Sequence, residues 1–370
     1  MVDNGQMKKL RLAIVSERTR YHFQKPLESL KEIEVFHLYK CAYSDMDVKR
    51  FKNLIPYRNI FDLKKKLQAL QPDLVQGLEP YYGYSRFRIP LKILPILFAT
   101  QSFCKKTGTP YFFHVLENIT PRVKYGSLAG AIMQRTAKRY AQGAQFIYYL
   151  NEGAKRNLIA LGQQSKIRFG LWGIWGVDVD EFRPNHVKPT TILFVGRLSE
   201  QKGIMDFIDA VEMLDLKGFD VKIAGEGPLE EEVLARIKAS SLGSKISLLG
   251  SIPSHEIAGL FKGSYVFVSP YKSIRYSAEQ IGMANIEAMA CGVPVVGYRA
   301  GSVGEFVVDK KTGFLVEEGD IEGLSRKIKE MLESESLRND MSKNARDLVL
   351  EKYNALENAK KLEAQIIKSL

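Results

Sequence analysis

Residues 191–203 read TILFVGRLSEQKG, and the pattern of this segment indicates the fold class of the second half of the chain. Its first five residues form a largely apolar run, which is typical of a strand buried in a parallel sheet. A glycine-bearing turn follows at once, and an amphipathic pattern over 203–214 then indicates a helix. The same order of strand, glycine turn and helix recurs from residue 220 onward. This half of the chain is therefore predicted to be a doubly wound α/β domain.

The first half of the chain shows the same alternation. Apolar runs at 10–15, 33–38 and 110–115 indicate buried strands, and amphipathic stretches separate them. We expect two Rossmann-like domains that face each other across a cleft, because ligands of open α/β sheets bind at the carboxyl ends of the strands. The predicted division is a first domain at 1–185, a second domain at 186–352, and a C-terminal helix at 353–370 that packs back on the first domain.

The turn after the strand at 191–195 supplies candidate ligands for a diphosphate. Gly196 lets a ligand approach the backbone closely, and Arg197 and Lys202 lie five residues apart around the same loop. A planar guanidinium fork and a point-charge ammonium together suit the oxygens of a diphosphate. Taken alone, the two side chains are equally consistent with solvated surface cations.

Two further glycine turns are predicted on the same rim. The sequence AGEGP follows a strand, but Gly225 belongs to a lone GxG, and a plain strand-to-helix turn explains it at least as well as a ligand contact. The richer turn leads into a helix that Gly282 or Met283 opens. Glu279 comes just before this helix, and Glu287 lies one turn inside it. Free N–H groups at a helix start favour an anion, and a nearby carboxylate suits sugar hydroxyls.

The motifs GRLSEQKG and AGEGP, the paired glutamates with AMACGVPVV, and the linker GVDVDEFRP together resemble glycosyltransferase family four. The resemblance implies the GT-B fold, an N-terminal acceptor-binding domain, a C-terminal donor-binding domain, and sugar transfer with retention of configuration. It implies that no metal or other cofactor is needed, because Arg197 and Lys202 hold the donor diphosphate. It assigns the rest of the donor site to Gly196, Gly225, Glu279 at the donor sugar, Glu287 at the ribose hydroxyls, and the backbone amides of Gly282, Met283 and Ala284.

The acceptor-binding domain fits the family less closely. Family members commonly carry a Gly-Gly pair after the first strand, where this chain reads SERTRY. Arg18 and Arg20 are therefore the candidates for phosphate contact on this side. The resemblance also implies a histidine at the end of the fourth strand, and His114 fits that position. Glu117 and Asn118 follow as polar acceptor-side candidates, and a buried core histidine is the alternative interpretation of His114.

The charge is distributed unevenly along the chain. Residues 1–184 hold 30 Lys and Arg against 15 Asp and Glu, a net +15, whereas the remainder is net −3. A basic half indicates an anionic partner, and an anionic membrane surface, a phosphorylated acceptor and nucleic acid all fit that description. The segment 81–106 combines aromatic, basic and aliphatic residues, which favours peripheral contact with lipid or, alternatively, a core-packing helix. No nucleic-acid-binding module is recognisable, so nucleic acid is not expected as a partner.

Three widely spaced cysteines, Cys41, Cys104 and Cys291, argue against a disulfide framework and favour a reducing compartment. No CxxC or HExxH spacing supports a zinc site. No apolar run reaches the ~20 residues that a helix needs to span a bilayer. We therefore expect a cytoplasmic protein, peripheral at the inner face of the membrane where it meets lipid.

The function predicted from these features is that of a retaining hexosyltransferase. Its donor is expected to be a nucleotide sugar, a UDP- or GDP-sugar, and its acceptor a hydroxyl on a sugar, a lipid-linked or phosphorylated molecule, or a cell-envelope glycan precursor. A nucleotide-sugar epimerase with the GT-B fold is the nearest alternative, and it would convert the donor without an acceptor. A non-catalytic basic protein that binds nucleotide sugar or nucleic acid is the alternative from a different class.

Overall fold

The computed structural model describes residues 8–43, 46–81, 93–171, 175–185, 189–274 and 277–370. The chain forms two compact units. The first unit runs to Trp175 and also includes Ala355–Leu370, and the second unit is Gly176–Asn354. Each unit contains a parallel sheet with helices, so the α/β class predicted from the sequence is confirmed.

The first unit is built on a seven-stranded parallel sheet. The strands of this unit are β1 (Leu10–Val15), β2 (Arg18–Thr19), β3 (Ile33–Tyr39), β4 (Cys41–Ala42), β5 (Leu54–Pro56), β6 (Leu74–Gln76), β7 (Tyr111–Val115), β8 (Ile147–Tyr149) and β9 (Ile167–Phe169). Strands β2 and β4, of two residues each, form a separate two-stranded sheet. The order across the seven-stranded sheet is β5-β3-β1-β6-β7-β8-β9. The helices before the linker are α1 (Tyr21–Glu28), α2 (Ile60–Leu70), α3 (Leu94–Thr107), α4 (Pro121–Tyr125), α5 (Ser127–Gly143) and α6 (Glu152–Ile159).

Strand β1 shows why its sequence is apolar at successive positions. Ala13 and Val15 belong to a buried cluster that also contains residues of α2, α3, α5 and α6. Leu12 and Ile14 belong to a second buried cluster, which contains residues of α1 and of the C-terminal helix α14 (Ala355–Ser369). Helices therefore cover both faces of this sheet, and alternate side chains of one strand enter opposite cores.

The second unit has a six-stranded parallel sheet in the order β12-β11-β10-β13-β14-β15. Its strands are β10 (Thr191–Val195), β11 (Asp220–Ala224), β12 (Ile246–Leu248), β13 (Ser264–Ser269), β14 (Val295–Tyr298) and β15 (Gly313–Val316). Its helices are α7 (Ile204–Glu212), α8 (Glu230–Ala239), α9 (Ile257–Lys262), α10 (Met283–Ala290), α11 (Val303–Phe306), α12 (Ile321–Glu333) and α13 (Glu335–Lys352). Strand β15 was not predicted from the sequence.

The division between the units falls at Gly176, ten residues before the predicted boundary at 185/186. The segment that follows Gly176 is attached to the second unit by hydrogen bonds. Val177 donates its N–H to the Tyr353 carbonyl at 2.8 Å, and the Arg346 guanidinium donates to the carbonyls of Val179 and Phe182 at 3.0 and 2.7 Å. This part of the predicted linker is therefore packed structure.

The C-terminal helix α14 is held in the first unit by a buried carboxylate as well as by apolar contacts. Ala359, Leu362 and Ile366 lie in the core cluster with α1. Glu363, only 7% exposed, accepts hydrogen bonds from three successive backbone N–H groups, those of Lys31 (3.2 Å), Glu32 (2.8 Å) and Ile33 (2.9 Å). This contact fixes the start of β3 to the last helix of the chain.

The segment 81–106, predicted to meet lipid or to pack in the core, is described at Tyr81 and from Ile93 onward. Residues 82–92 lie outside the described residues. Helix α3 buries Ile96, Leu97 and Phe103 in the core of the first unit, which follows the core-packing alternative for this part. Among the described residues, no helix combines the length and the apolar character that crossing a membrane requires.

Replacing Glu363 tests how much this buried carboxylate stabilises the protein. We expect Glu363→Ala to lower the free energy of unfolding by about 3 kcal/mol, because three backbone N–H groups lose a charged acceptor. Urea denaturation followed by circular dichroism measures the change. Glu357→Ala, on an exposed position of the same helix where the carboxylate pairs with Lys360, should leave the free energy of unfolding close to that of the original protein, because exposed ion pairs contribute little. Equal losses in the two variants would contradict this role.

Candidate active site

The second unit offers a ligand position at the carboxyl ends of β10 and β13. These strands are neighbours at the point where the strand order reverses direction. Loops that leave such a switch point diverge to opposite faces of the sheet and leave a crevice between them. The loop 196–203 leaves β10, and the segment from Pro270 to Gly282 leaves β13 and leads into α10.

The loop after β10 and the segment after β13 contact each other through their backbones. Gly203 has φ +67°, and a Cβ atom there would lie 1.9 Å from the Pro270 carbonyl oxygen, so a larger residue has no room. Lys272 donates its N–H to the Gln201 carbonyl at 2.8 Å, and the Gln201 amide donates to Ser277 Oγ at 2.9 Å. The two predicted site loops therefore form one assembly.

The AGEGP turn supports the loop 196–203 from the neighbouring strand β11. Gly225 has φ +143°, and a Cβ atom there would lie 1.9 Å from the Gly196 carbonyl oxygen. Leu198, fully buried, donates its N–H to Glu226 at 2.9 Å and accepts from Leu229 at 3.1 Å. This packing explains why residue 225 is a glycine without any contact to a ligand, and it agrees with the alternative of a plain strand-to-helix turn. The donor contact assigned to Gly225 stays a prediction.

The structure brings Lys202, Glu279 and Gly282, three of the predicted site residues, close together. Lys202 Nζ lies 2.5 Å from Glu279 Oε2, and Gly282, the N-cap of α10, donates its N–H to Glu279 Oε1 at 3.1 Å. The Lys202 ammonium also sits over the Tyr271 ring, 4.1 Å from its centroid. A cation, a carboxylate and a helix start thus meet at one place in the second unit.

Glu279 is fixed through its backbone by the turn that follows β14. Ser302 donates its N–H to the Glu279 carbonyl at 2.9 Å. The glycine turn GSVGE at 301–305 therefore holds the backbone of Glu279 in place. Glu287 lies half-buried one turn inside α10. Burial, and then the charges of Glu279 and Glu287, hold the pKa of the Tyr271 phenol well above its usual value, which places both glutamates near one ring.

The remaining predicted donor residues flank this meeting point. Arg197 is exposed on the loop that carries Lys202, and Gly196 begins that loop. Met283 and Ala284 are the first two residues of α10 and are half-buried. Their backbone N–H groups belong to the first helical turn, where N–H groups have no partner within the helix. The chemistry assigned to each of them stays a prediction.

A further ion pair, between Asp206 and Lys272, was not predicted from the sequence. Asp206 of α7, 5% exposed, accepts from Lys272 Nζ at 2.6 Å and from the Tyr298 hydroxyl at 2.8 Å. This arrangement ties the segment after β13 to α7 and β14. A buried aspartate in the sequence IMDFIDA was the available signal, since an acid inside an apolar helix face needs a partner.

In the first unit, the loop after β1 is held by a buried hydrogen-bonded chain. The Ser16 hydroxyl donates to the Arg18 carbonyl at 3.1 Å and lies 2.7 Å from His37 Nε2. The Gln24 amide bonds His37 Nδ1 and donates to Thr19 Oγ1 at 2.8 Å. Ser16 therefore accepts from His37 Nε2–H, and Nδ1 accepts from Gln24. Burial lowers the pKa of His37 to about 3, so the ring is neutral.

This chain of hydrogen bonds bears on the predicted acceptor-side arginines. The Ser16 hydroxyl donates to a backbone carbonyl and not to His37. The Ser16–His37 hydrogen bond therefore stabilises the loop, and His37 is not placed as a base that would activate Ser16 as a nucleophile. Arg18 and Arg20 lie on the segment that this hydrogen bond stabilises, and both are exposed. Arg18 lies over the Tyr43 ring at 5.9 Å. Their contact with phosphate stays a prediction.

His114 is the penultimate residue of β7, and a buried pair of carboxyl groups, those of Glu79 and Glu117, lies at the loop after this strand. The Gln76 amide nitrogen lies 3.1 Å from His114 Nδ1, and burial lowers the pKa of His114 to about 4. Glu79 accepts the N–H groups of Leu116 and Glu117 at 3.0 and 2.8 Å. Burial, followed by the nearby charge of Glu117, raises the pKa of Glu79 to about 8.

Glu117 and Asn118, predicted on the acceptor side, lie in the loop that Glu79 holds. Glu117 is 4% exposed, and its carboxylate pairs with Lys124 and accepts the Ile119 N–H at 3.0 Å. Asn118 is half-buried. The loop is thus fixed by the buried side chains of Glu79 and Glu117, and direct contact of Glu117 or Asn118 with an acceptor stays a prediction. In the described ranges, no group of three or more His, Cys, Asp or Glu side chains is placed to hold a metal ion.

Comparison with known proteins agrees with this geometry. Residues 178–348 match the family described as Glycosyl transferases group 1. A glycosyltransferase of Methanocaldococcus jannaschii, itself uncharacterised, is 34% identical over 155 residues, which cover 42% of each chain. A putative colanic acid biosynthesis glycosyltransferase of Escherichia coli is 34% identical over 160 residues, covering 41% of this chain and 39% of the relative. The matched region thus spans less than half the length of these relatives.

Solved structures match over nearly the whole chain. HepE of Anabaena, in complex with UDP and glucose, has a TM-score of 0.75 at 15% identity and covers 98% of this chain and 100% of its own. Sucrose-phosphate synthase of Thermosynechococcus elongatus has a TM-score of 0.71 at 15% identity, covering 97% and 98%. The structural likeness confirms the GT-B fold. The family match and the relatives support a glycosyltransferase enzyme.

Substitution of Gly225 tests the backbone packing beneath the site. We expect Gly225→Ala to lower the free energy of unfolding by about 3 kcal/mol, because a methyl group there meets a backbone carbonyl and the φ angle is strained. Thermal unfolding by calorimetry measures the loss. Gly259→Ala, in helix α9 where a Cβ atom meets nothing within 4 Å, should be stabilising or neutral, within about 1 kcal/mol. An unchanged free energy of unfolding in Gly225→Ala would show that the AGEGP turn does not pack tightly against the loop 196–203.

Proposed function

We propose that this chain transfers a hexosyl group from a UDP- or GDP-sugar to a hydroxyl acceptor with retention of configuration. One observation carries the proposal: Lys202 and the N-terminus of α10 meet at the switch point of the second sheet. Positive charge and free N–H groups at that position suit a diphosphate. The unit that contains them also matches the Glycosyl transferases group 1 family.

The proposed chemistry stabilises the departing nucleoside diphosphate. Negative charge builds on the leaving phosphate as the sugar becomes oxocarbenium-like, and Arg197, Lys202 and the α10 amides meet that charge. Preorganised donors of this kind lower a barrier by roughly 2.7–4 kcal/mol. The leaving phosphate itself deprotonates the acceptor hydroxyl in this proposal. Glu279 contacts the donor sugar and Glu287 the ribose, with no metal or other cofactor in the reaction.

The acceptor side is proposed from the relatives and from the first unit. A putative colanic acid biosynthesis glycosyltransferase of Escherichia coli and a capsular polysaccharide biosynthesis glycosyltransferase of Staphylococcus aureus are among the relatives. They support a cell-envelope glycan precursor, sugar or lipid-linked, as the acceptor. The proposed acceptor contacts lie at or just beyond the carboxyl ends of β7 and β1 in the first sheet: His114, Glu117, Asn118, Arg18 and Arg20.

A thermal-shift screen across UDP, GDP and ADP is the first experiment. Ligands that bind the folded state raise the melting temperature, and the rise grows with the logarithm of the ligand concentration divided by Kd. At one concentration, the nucleoside diphosphate with the preferred base therefore gives the largest shift. The matching nucleotide sugar is then incubated with and without candidate acceptors. Conversion of the sugar without any acceptor would indicate the epimerase alternative. Absence of binding by every nucleoside diphosphate would contradict the proposed function.

Removal of either donor-site cation should slow transfer strongly. We expect Lys202→Ala and Arg197→Ala each to lose about 100-fold or more in turnover, because each removes a donor aimed at the leaving phosphate. The measurement is the release of nucleoside diphosphate with the donor found in the screen. Lys217→Ala, an exposed lysine paired with Asp215, serves as the control and should leave turnover unchanged. Near-normal turnover in both Lys202→Ala and Arg197→Ala would contradict the proposed mechanism.

We also propose that the basic first unit lies on an anionic membrane at the cytoplasmic face. Helix α5 carries an exposed stripe of Leu128, Ile132, Arg135 and Arg139, spaced at i, i+4, i+7 and i+11. Leu128 is 78% and Ile132 54% exposed. Apolar side chains next to arginines on one helix face suit the interface of anionic lipid.

Liposome cosedimentation tests this surface. We expect Leu128→Asp with Ile132→Asp to reduce binding to anionic vesicles about tenfold or more at low salt, because two apolar contacts are lost and two like charges face the lipid. Met213→Asp, on an exposed methionine of the second unit, should leave vesicle binding within about twofold. Unchanged binding of the double variant, or no binding of the original protein, would end the membrane proposal.

A further inference from the structure

The Glu279 carboxylate occupies the place that the proposed function gives to a ligand phosphate. Its Oε2 lies 2.5 Å from Lys202 Nζ, and its Oε1 accepts the Gly282 N–H at 3.1 Å. Lysine ammonium groups and helix-start amides are the donors that bind phosphate oxygens. The two oxygens of one carboxylate thus satisfy both kinds of donor at once.

The groups around this carboxylate are held independently of it. The Lys202 ammonium sits over the Tyr271 ring, and the loop that carries it is fixed by the close packing of Gly203 on Pro270. The backbone of Glu279 is fixed by the Ser302 N–H. Rotation of the Glu279 side chain alone would therefore open the anion position, with the lysine and the helix start already in place.

The first turn of α10 also carries a donor that Glu279 does not satisfy. The Asn285 side chain is fully buried, and among the described residues neither its Nδ2 nor its Oδ1 has a hydrogen-bond partner. A Cβ atom at Gly282 would lie 2.6 Å from Asn285 Nδ2, so this amide points at the same helix start. Buried polar groups of this kind normally have partners, and the turn is therefore built for more acceptors than one carboxylate supplies.

We propose that Glu279 is a resident anion that holds the diphosphate position of the ligand-free protein, and that a nucleoside diphosphate binds by displacing it from Lys202 and the Gly282 amide. This inference rests on the proposed function. It adds that the affinity for the nucleotide depends on how much more strongly the diphosphate binds Lys202 and the Gly282 amide than the Glu279 carboxylate does. The displaced carboxylate is then free to reach the donor sugar, and its return helps to release the nucleoside diphosphate product.

Binding of a nucleoside diphosphate without its sugar isolates the displacement from any contact of Glu279 with the sugar. Isothermal titration calorimetry with UDP, GDP and inorganic pyrophosphate is the measurement. We expect Glu279→Gln to bind the preferred nucleoside diphosphate and pyrophosphate about 3- to 10-fold more tightly than the original protein, because a neutral amide competes poorly for Lys202. With the nucleotide sugar, the same variant should show stronger product inhibition by the nucleoside diphosphate.

Two further variants separate displacement from a general effect of charge. Glu226→Gln removes one negative charge from the exposed turn beneath the same loop, and it should change pyrophosphate affinity less than about twofold. Glu279→Asp keeps the charge but shortens the side chain by one methylene, so it cannot span Lys202 and Gly282 together. It should therefore also bind more tightly, and it provides a second measurement if Glu279→Gln proves unstable.

The outcomes distinguish this inference from the proposed function. If the original protein binds a nucleoside diphosphate and Lys202→Ala loses that binding, the donor site stands. Unchanged or weaker binding by both Glu279 variants would then overturn the resident anion alone. Equal tightening in Glu226→Gln and Glu279→Gln would overturn it as well, since long-range charge would explain both. If no nucleoside diphosphate binds the original protein, both proposals fail.

Discussion

The contact between Lys202 and Glu279 depends on backbone turns that pack against each other with no side chain between them. Gly203 lies directly on the Pro270 carbonyl, and Gly225 lies directly on the Gly196 carbonyl. These contacts bring the loops after β10, β11 and β13 to one place, although Lys202 and Glu279 are 77 residues apart in the chain. Glycine at these positions is therefore first a requirement of packing, and closeness to a ligand follows from it.

The first unit fixes its loops by a different means, with buried polar side chains. The neutral His37 ring links Ser16 to Gln24 and so holds the loop after β1. Glu79 holds the loop after β7 through two backbone N–H groups. Both loops leave the carboxyl edge of the sheet, where the acceptor contacts are proposed. Exposed arginines on loops that are anchored from inside lose little conformational entropy when they bind an anion.

The sequence predicts the frame of the site well, because each part of that frame has a local signal. An apolar run, a glycine turn and a helix start place Lys202 and Glu279 on one rim, and the structure brings them together. The sequence signals that Asp206 needs a partner, but the partners of Asp206 and Tyr271 could not be predicted, because each contacts a lysine that is distant in the chain. The second unit begins at Gly176, ten residues before the predicted boundary. The segment 176–183 has no periodicity in the sequence, and its attachment to the second unit depends on Arg346 of a distant helix.

An unliganded site for a diphosphate faces a physical difficulty that this geometry resolves. Donors arranged for a multiply charged ligand repel one another when the ligand is absent, and a partly buried ammonium without a counter-ion is unfavourable. The Lys202 and Glu279 side chains are only 25% and 15% exposed, so their charges are poorly screened by water and each stabilises the other. The Glu279 carboxylate balances the charge of donors that the surrounding turns already hold in place, and because it carries one charge where a diphosphate carries more, it can yield the position to the ligand. Charge balance without a ligand and release of the product then both follow from the Glu279 side chain.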